Sequence, residues 1–114
     1  MSNLTEVDKN NFEEEVRKSS LPVVVDIWSD KCGKCKEIVP FLEKLGEEYK
    51  GKLKIVKLNH LGNRRFTFQF RFKGLPTFLF FKNGEEVGKL TDNLDNSVEE
   101  IQEELRKSII NLLS

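Results

Sequence analysis

Cys32 and Cys35 are the only cysteines in the 114-residue chain, and Gly33 and Lys34 alone separate them. They are too close together to staple a domain and too few for a four-ligand zinc site, so chemistry explains them better. An apolar run, Leu21 to Trp28, precedes them, and a helical pattern over residues 33 to 49 begins at the pair. At the first turn of a helix, residues three apart lie near disulfide distance, so the pair can open and close with little backbone movement. The leading cysteine there meets unpaired N–H groups and the positive end of the helix dipole, which favour the thiolate that attacks disulfides. Cys32 is therefore the predicted nucleophile. Cys35, one turn further in and under the apolar face, is the predicted resolving thiol. Lys31, Lys34 and Lys36 crowd the same turn; each cation favours the charged sulfur, and one pKa unit is worth about 1.4 kcal/mol.

Asp26 is the second informative residue, a carboxylate inside Val23-Val24-Val25-Asp26-Ile27-Trp28. An ionised group there is costly to desolvate unless paired, and burial should raise its pKa. Lys57, similarly set in Ile55-Val56-Lys57-Leu58, offers partial compensation from an adjacent strand. The functional reading makes Asp26 a proton relay for Cys35; the plainer one sets it at a bulge or beside a wet gap. Three rivals stand next to the redox reading. The cysteines could be structural or share a two-plus-two metal site across a dimer. His60 could serve as the base of a Cys-His hydrolase, although a lone histidine after a strand is usually a loop residue. Arg64, Arg65, Arg71 and Lys73, interleaved with Phe66, Phe68, Phe70 and Phe72, could stack single-stranded bases, against a core-packing role for the rings.

The elements that must position these residues alternate between helix and strand. Asp8 caps a helix expected over Lys9 to Ser19, with Phe12 and Val16 on one face. Leu21 to Trp28 reads as a central strand buried on both faces. Ile38, Leu42, Leu45 and Tyr49 mark a helix that Pro40 should kink. Lys52 to Leu58 is a second strand and Pro76 to Lys82 a third, which Asn83-Gly84 turns tightly into Glu85 to Leu90. Ser97 and Glu100 form a capping box ahead of Val98, Ile101, Leu105, Ile109 and Leu112 at helical spacing. The alternation of Phe66, Phe68, Phe70 and Phe72 argues by period for a half-buried strand.

Nineteen Lys and Arg balance nineteen Asp and Glu, and 38% of residues are hydrophobic. Such a chain folds, as one domain over 1–114, and has no global positive field to collect nucleic acid or anionic lipid. No apolar run approaches the roughly 20 residues that span a bilayer. Met1 to Asp8 lacks a signal-peptide pattern, so the expected address is cytoplasmic.

Taken together, these residues resemble the thioredoxin family over nearly the whole chain. The resemblance rests on Val25-Asp26-Ile27-Trp28, Cys32-Gly33-Lys34-Cys35-Lys36, Pro40, Lys57 with Asn59, Gly74-Leu75-Pro76-Thr77 and Phe81-Lys82-Asn83-Gly84. It implies a thioredoxin fold of α/β class: a central mixed sheet flanked by helices on both faces, with a carboxy-terminal β-hairpin and helix. It also implies Cys32 as attacking thiol, Cys35 as resolving thiol and Asp26 as buried proton acceptor. Pro76 would be a cis-proline beside the disulfide, Leu75 would pair through its backbone with an extended substrate segment, and Trp28 would pack against the active-site loop. The resemblance replaces the strand at Phe66 to Phe72 with a short helix and a turn, in which Arg71 stands where the family usually has glycine.

Other departures fall on the substrate rim formed with Gly33. Lys31 stands where tryptophan is usual and Lys34 where proline is usual, while Leu90-Thr91-Asp92-Asn93 replaces a glycine-containing loop. Two lysines in place of a flat ring and a rigid proline should favour acidic partner surfaces and make the disulfide a stronger oxidant. The function implied is reduction of client-protein disulfides with no cofactor beyond the disulfide itself, electrons coming from a thioredoxin-reductase-type partner, in a monomer that binds neither nucleic acid nor membrane. The rival readings are a more oxidising isomerase or oxidase, and a thioredoxin-fold binding module whose cysteines are idle. Ile109, Ile110, Leu112 and Leu113, slightly beyond the usual family end, finish packing the last helix or, if exposed, support a dimer.

Overall fold

The computed structural model describes residues 4–91 and 96–114. Its framework is a five-stranded sheet in the order β1-β3-β2-β4-β5. The strands are β1 (Thr5–Val7), β2 (Val23–Trp28), β3 (Lys54–Asn59), β4 (Thr77–Lys82) and β5 (Glu85–Thr91). β1 and β2 both run parallel to β3, whereas β4 is antiparallel to β2 and to β5. The sheet is mixed because only a tight turn separates β4 from β5, while β2 and β3 are joined by a helical crossover. In that turn Asn83 and Gly84 both hold positive φ, 55° and 82°, as the dipeptide requires for a two-residue hairpin. Gly84 is required on a second count: a Cβ there would lie 2.6 Å from the Arg17 carbonyl oxygen. Three-residue β1, in which only Val7 is buried, carries too little periodicity to be seen in the sequence.

β2 is central, and its alternation feeds two cores. Val23, Val25 and Ile27 pack with Val56, Leu58, Leu79 and Phe81 beneath Phe12, Val16 and Phe70. Val24 faces the opposite layer, where Ile38, Leu42, Leu45, Ile101, Leu105 and Ile109 cover Ile55, Phe78 and Phe80. Helices therefore flank both faces, as expected. The second layer is built by α1 (Gly33–Glu37), α2 (Val39–Glu48) and α4 (Val98–Leu113), with α3 (Arg64–Phe68) on the first. α1 and α2 meet at Ile38, which caps both, and Pro40 falls in the first turn of α2, where its missing N–H costs nothing. α4 opens with the Ser97–Glu100 capping box. Ile109 and Leu112 are buried at its far end, Leu113 packs against the same core, and Ile110 stays 58% exposed.

Two segments differ from their periodicity. The amino-terminal helix is only a π-type segment, Glu13–Arg17. Its N-cap is Phe12 rather than Asp8; Asp8 instead holds the turn before it, accepting from the N–H groups of Asn10 at 2.8 Å and Asn11 at 3.2 Å, and Phe12 and Val16 are both buried. The phenylalanine stretch is helix and turn rather than strand. A strand would put all four rings on one face; instead Phe66 and Phe70, four apart, pack on Phe12 at 5.0 and 5.5 Å, and Phe68 is 81% exposed. The turn that follows puts Arg71 at φ 49°, the left-handed region that glycine fills without cost. Lys89 Nζ holds the turn by donating to the carbonyl of Arg71 at 3.0 Å and to that of Phe70. Of the replaced loop before α4, residues 92–95 lie outside the described residues.

Arg71→Gly should raise stability by about 0.5–1 kcal/mol, the relief of the left-handed strain less the added freedom of the unfolded chain, measured by urea unfolding. Gly84→Ala should lower it by more than about 1 kcal/mol, because strain and the clash with Arg17 act together.

Candidate active site

The chain leaves β2 at Trp28 and reaches Cys32 in four residues, so the end of the central strand aims the cysteine pair. Cys32 holds extended backbone (φ −97°, ψ 107°) as the N-cap of α1, and its Sγ accepts the Cys35 N–H at 3.1 Å. A sulfur in that position takes up a donor that the helix itself cannot satisfy. The two sulfurs are joined as a disulfide, with Cα atoms 5.2 Å apart. Cys32 is half-buried and Cys35 is 1% exposed. The two residues of the disulfide are thus unequally covered.

The Leu75–Pro76 bond is cis, as the resemblance implies. Thr77, the next residue, pairs with Ile27 across β2 and β4, so the cis bond lies at the end of the sheet where β2 turns toward Cys32. Thr77 Oγ1 donates to the Gly74 carbonyl at 2.5 Å and meets Thr91 Oγ1 at 2.9 Å, while Thr91 Oγ1 also accepts the Lys73 N–H at 2.9 Å. These threonines tie the proline loop to β5, a contribution the sequence alone does not reveal. Lys34 Nζ reaches across to the Asn96 carbonyl at 2.5 Å, whereas Lys31 is exposed.

Asp26 occupies a regular position of β2 rather than a bulge, and it is 0% exposed. Among the described residues, neither of its carboxylate oxygens has a hydrogen-bond partner, nor does Trp28 Nε1. Burial raises its pKa from 3.8 to about 7, opposed by the Lys57 cation and helped by the Glu6 carboxylate. The register explains why those two charges act: Glu6 lies opposite Lys57 on one side and Asp26 opposite it on the other. Lys57 Nζ also sits over the Trp28 ring, 4.4 Å from its centroid. Asp26 shares the Val24 face, the face covered by the α1–α2 layer with Ile38 at its joint. Cys35, three residues before Ile38, is buried in that layer, so acid and resolving thiol belong to one side of the sheet. Glu6 itself was not legible in the sequence, because it acts through the register of a strand too short to show. Burial pushes its pKa up, the Lys57 cation opposes this, and Asp30 adds to it.

His60 is placed elsewhere. Its N–H bonds the Trp28 carbonyl at 2.7 Å, its Nδ1 meets Thr67 Oγ1 at 2.8 Å, and its ring packs edge-on against Phe72. Burial and the Arg64 cation hold its pKa below the usual value. Its N–H and Nδ1 are therefore engaged by Trp28 and Thr67. Among the described residues, no cluster of three or more His, Cys, Asp or Glu could hold a metal ion.

The raised pKa of Asp26 makes stability fall with pH. Between pH 3.8 and about 7 the folded protein keeps a proton that the unfolded chain releases, so the cost grows through that window and is complete above it. Asp26→Asn should remove this slope and stabilise the oxidised protein by roughly 4 kcal/mol at pH 8, with little effect at pH 4, measured by urea unfolding at both values.

Comparison with known proteins agrees with this geometry. The thioredoxin family profile matches residues 3–107. The thioredoxin of Acidithiobacillus ferridurans is 43% identical over 89 residues, covering 75% of this chain and 82% of that protein. The thioredoxin of Haemophilus influenzae is 40% identical over 87 residues, covering 76% and 81%. That of Rickettsia felis is 39% identical over 80 residues, covering 70% and 76%. A match of that extent, on a chain whose two cysteines already meet at the start of a helix, makes this protein a member of the thioredoxin family, and its chemistry that of a protein thiol–disulfide oxidoreductase.

Proposed function

We propose that the protein works as a reductant of client-protein disulfides, with Cys32 as nucleophile, Cys35 as resolving thiol and Asp26 as proton acceptor. The observation that carries this reading is the position of Cys32 Sγ at the N-cap of α1, accepting the Cys35 N–H. In the reduced protein that donor and the helix dipole stabilise a thiolate on the more accessible sulfur. The Cys32 thiolate attacks one sulfur of the client disulfide and forms a mixed disulfide, and the other client sulfur leaves as a thiolate that takes up a proton. Cys35 then gives its proton, through an intervening water, to the Asp26 carboxylate. The Cys35 thiolate attacks Cys32 Sγ, closing the Cys32–Cys35 disulfide and expelling the second client thiolate. Two electrons pass from the dithiol to the client.

Lys57 keeps Asp26 ionisable near neutrality by opposing the effect of burial. Client chains lie across Trp28, Gly33, Leu75 and Pro76, with an extended segment paired to the Leu75 backbone, and Lys31 and Lys34 favour acidic surroundings on the client. A reductase of the thioredoxin-reductase type returns two electrons and two protons to the disulfide. The unit over 1–114 acts as a monomer in the cytoplasm, where thiols are kept reduced. Among the described residues, no helix is long and apolar enough to cross a membrane.

The reduction potential tests the direction of electron flow, and Trp28, the one tryptophan, reports it by fluorescence in graded redox buffers. A value near the thioredoxin reference of about −270 mV is expected; one at or above about −180 mV would assign the protein to oxidation or isomerisation instead. Cys32→Ser should cut disulfide turnover to below about a thousandth, whereas Cys35→Ala should accumulate a mixed disulfide visible on non-reducing gels. The resolving step should quicken as pH rises through about 7, and Asp26→Asn should abolish that rise in stopped-flow traces.

A further inference from the structure

A balanced total charge conceals a strong local imbalance. Between Tyr49 and Gly84 the chain carries nine Lys and Arg and no Asp or Glu, so all nineteen carboxylates lie outside that stretch. At the disulfide end of the sheet this segment supplies Arg64, Arg65, Arg71 and Lys73, all exposed and none in an ion pair among the described residues. Between α3 and the turn after it lies a cleft of about 390 Å³ lined by His60, Arg64, Phe68, Arg71 and Phe72. Its apolar wall includes the 81%-exposed Phe68 ring and the Phe72 ring, the latter fixed edge-on by His60 at 5.3 Å. Arg71 reaches the rim from a left-handed backbone, φ 49°, a conformation that strains any side chain.

We propose that this cleft is an accessory docking site for client proteins, taking an aromatic or aliphatic side chain flanked by a carboxylate. The inference rests on the reductase reading and names the client chemistry that this surface selects. Charge complementarity commits the occupant to an acidic segment: two guanidinium groups flank an apolar wall, and among the described residues no carboxylate lines the cleft. The volume suits one large side chain. Position sets the spacing. Phe72 precedes Leu75 by three residues, which span at most about 10 Å, so a client strand paired at Leu75 brings residues within about five positions of its cysteine to the cleft. A nucleic acid is the poorer occupant, because of these rings only Phe68 is largely exposed, while Phe66 and Phe72 are half-buried and Phe70 is buried, leaving no row of exposed rings for successive bases.

The test uses two oxidised peptides with the same disulfide, one carrying Asp-Phe and the other Lys-Phe four residues from the cysteine, and reads kcat/KM for their reduction at 20 mM and 500 mM salt. Fluorescein-labelled serine versions read docking by anisotropy, apart from any chemistry. The acidic peptide should be favoured about tenfold at low salt, with the ratio falling several-fold at high salt. Arg64→Glu with Phe68→Ser should bring the ratio to about one, while Lys107→Glu, an equal charge change in the distant Glu103 pair, should leave it unaltered. A wild-type ratio near one, a preference that survives Arg64→Glu with Phe68→Ser, or a dT12 oligonucleotide that displaces the acidic peptide would overturn the site. Failure of the wild type to reduce either peptide would instead remove the reductase reading, with anisotropy still deciding whether the cleft docks the acidic segment.

Discussion

Burial of β2 on both faces is the constraint on which the rest depends. A strand covered on two sides must alternate between two cores, and Val23, Val25 and Ile27 go to one while Val24 goes to the other. The position after Val25, on the second face, is Asp26, so the strand carries an ionisable group into a fully buried layer of the molecule. The same strand ends at Trp28, and the chain that leaves it starts α1 at Cys32. Its neighbours bring in the remaining parts, Lys57 from β3 and, at the start of β4, the cis bond at Pro76. One doubly buried strand thus locates acid, cation, thiols and proline loop, and a change in its register would misplace them together.

The charges across this sheet form a row rather than a pair. Glu6, Lys57 and Asp26 occupy matched positions on β1, β3 and β2, so the single cation lies between two carboxylates. A cation shared in this way, and also engaged with the Trp28 ring, compensates Asp26 only in part. Full compensation would leave an acid too weakly basic to take a proton near neutrality, and none would leave it protonated throughout. Partial pairing therefore suits the proton-accepting role proposed for Asp26, and the stability lost to its burial would be the cost of that role.

Much of this was legible in the residues. The central strand, the Pro40 break, the Asn83-Gly84 hairpin and the Ser97 capping box each have a local cause, and local causes survive folding. What stayed hidden depends on partners distant in sequence. β1 has one buried residue, so nothing in its composition marks it, and Glu6 remained invisible with it. The threonine ties between Gly74, Thr77 and Thr91 likewise exist only through the β4–β5 register. Periodicity was misleading at Phe66 to Phe72 because alternate rings there are also four apart by pairs, and contact with Phe12 decided between the two periods. The helix expected over Lys9 to Ser19 shrank to Glu13–Arg17 with its buried face intact, since two apolar residues specify a face but not a length.

Arg71 shows how a local rule can be broken for a reason outside the local structure. Its carbonyl is held by Lys89 and its backbone sits where glycine would be more stable. Nothing in the packing of the turn asks for a guanidinium, which points outward from an exposed position. A side chain that the fold does not need, at a position where the fold would do better without one, is what the docking site proposed above would account for. Arg64 and Arg71 share a cleft with no carboxylate among its described residues, so no described residue within it matches their charge, which is available to a partner.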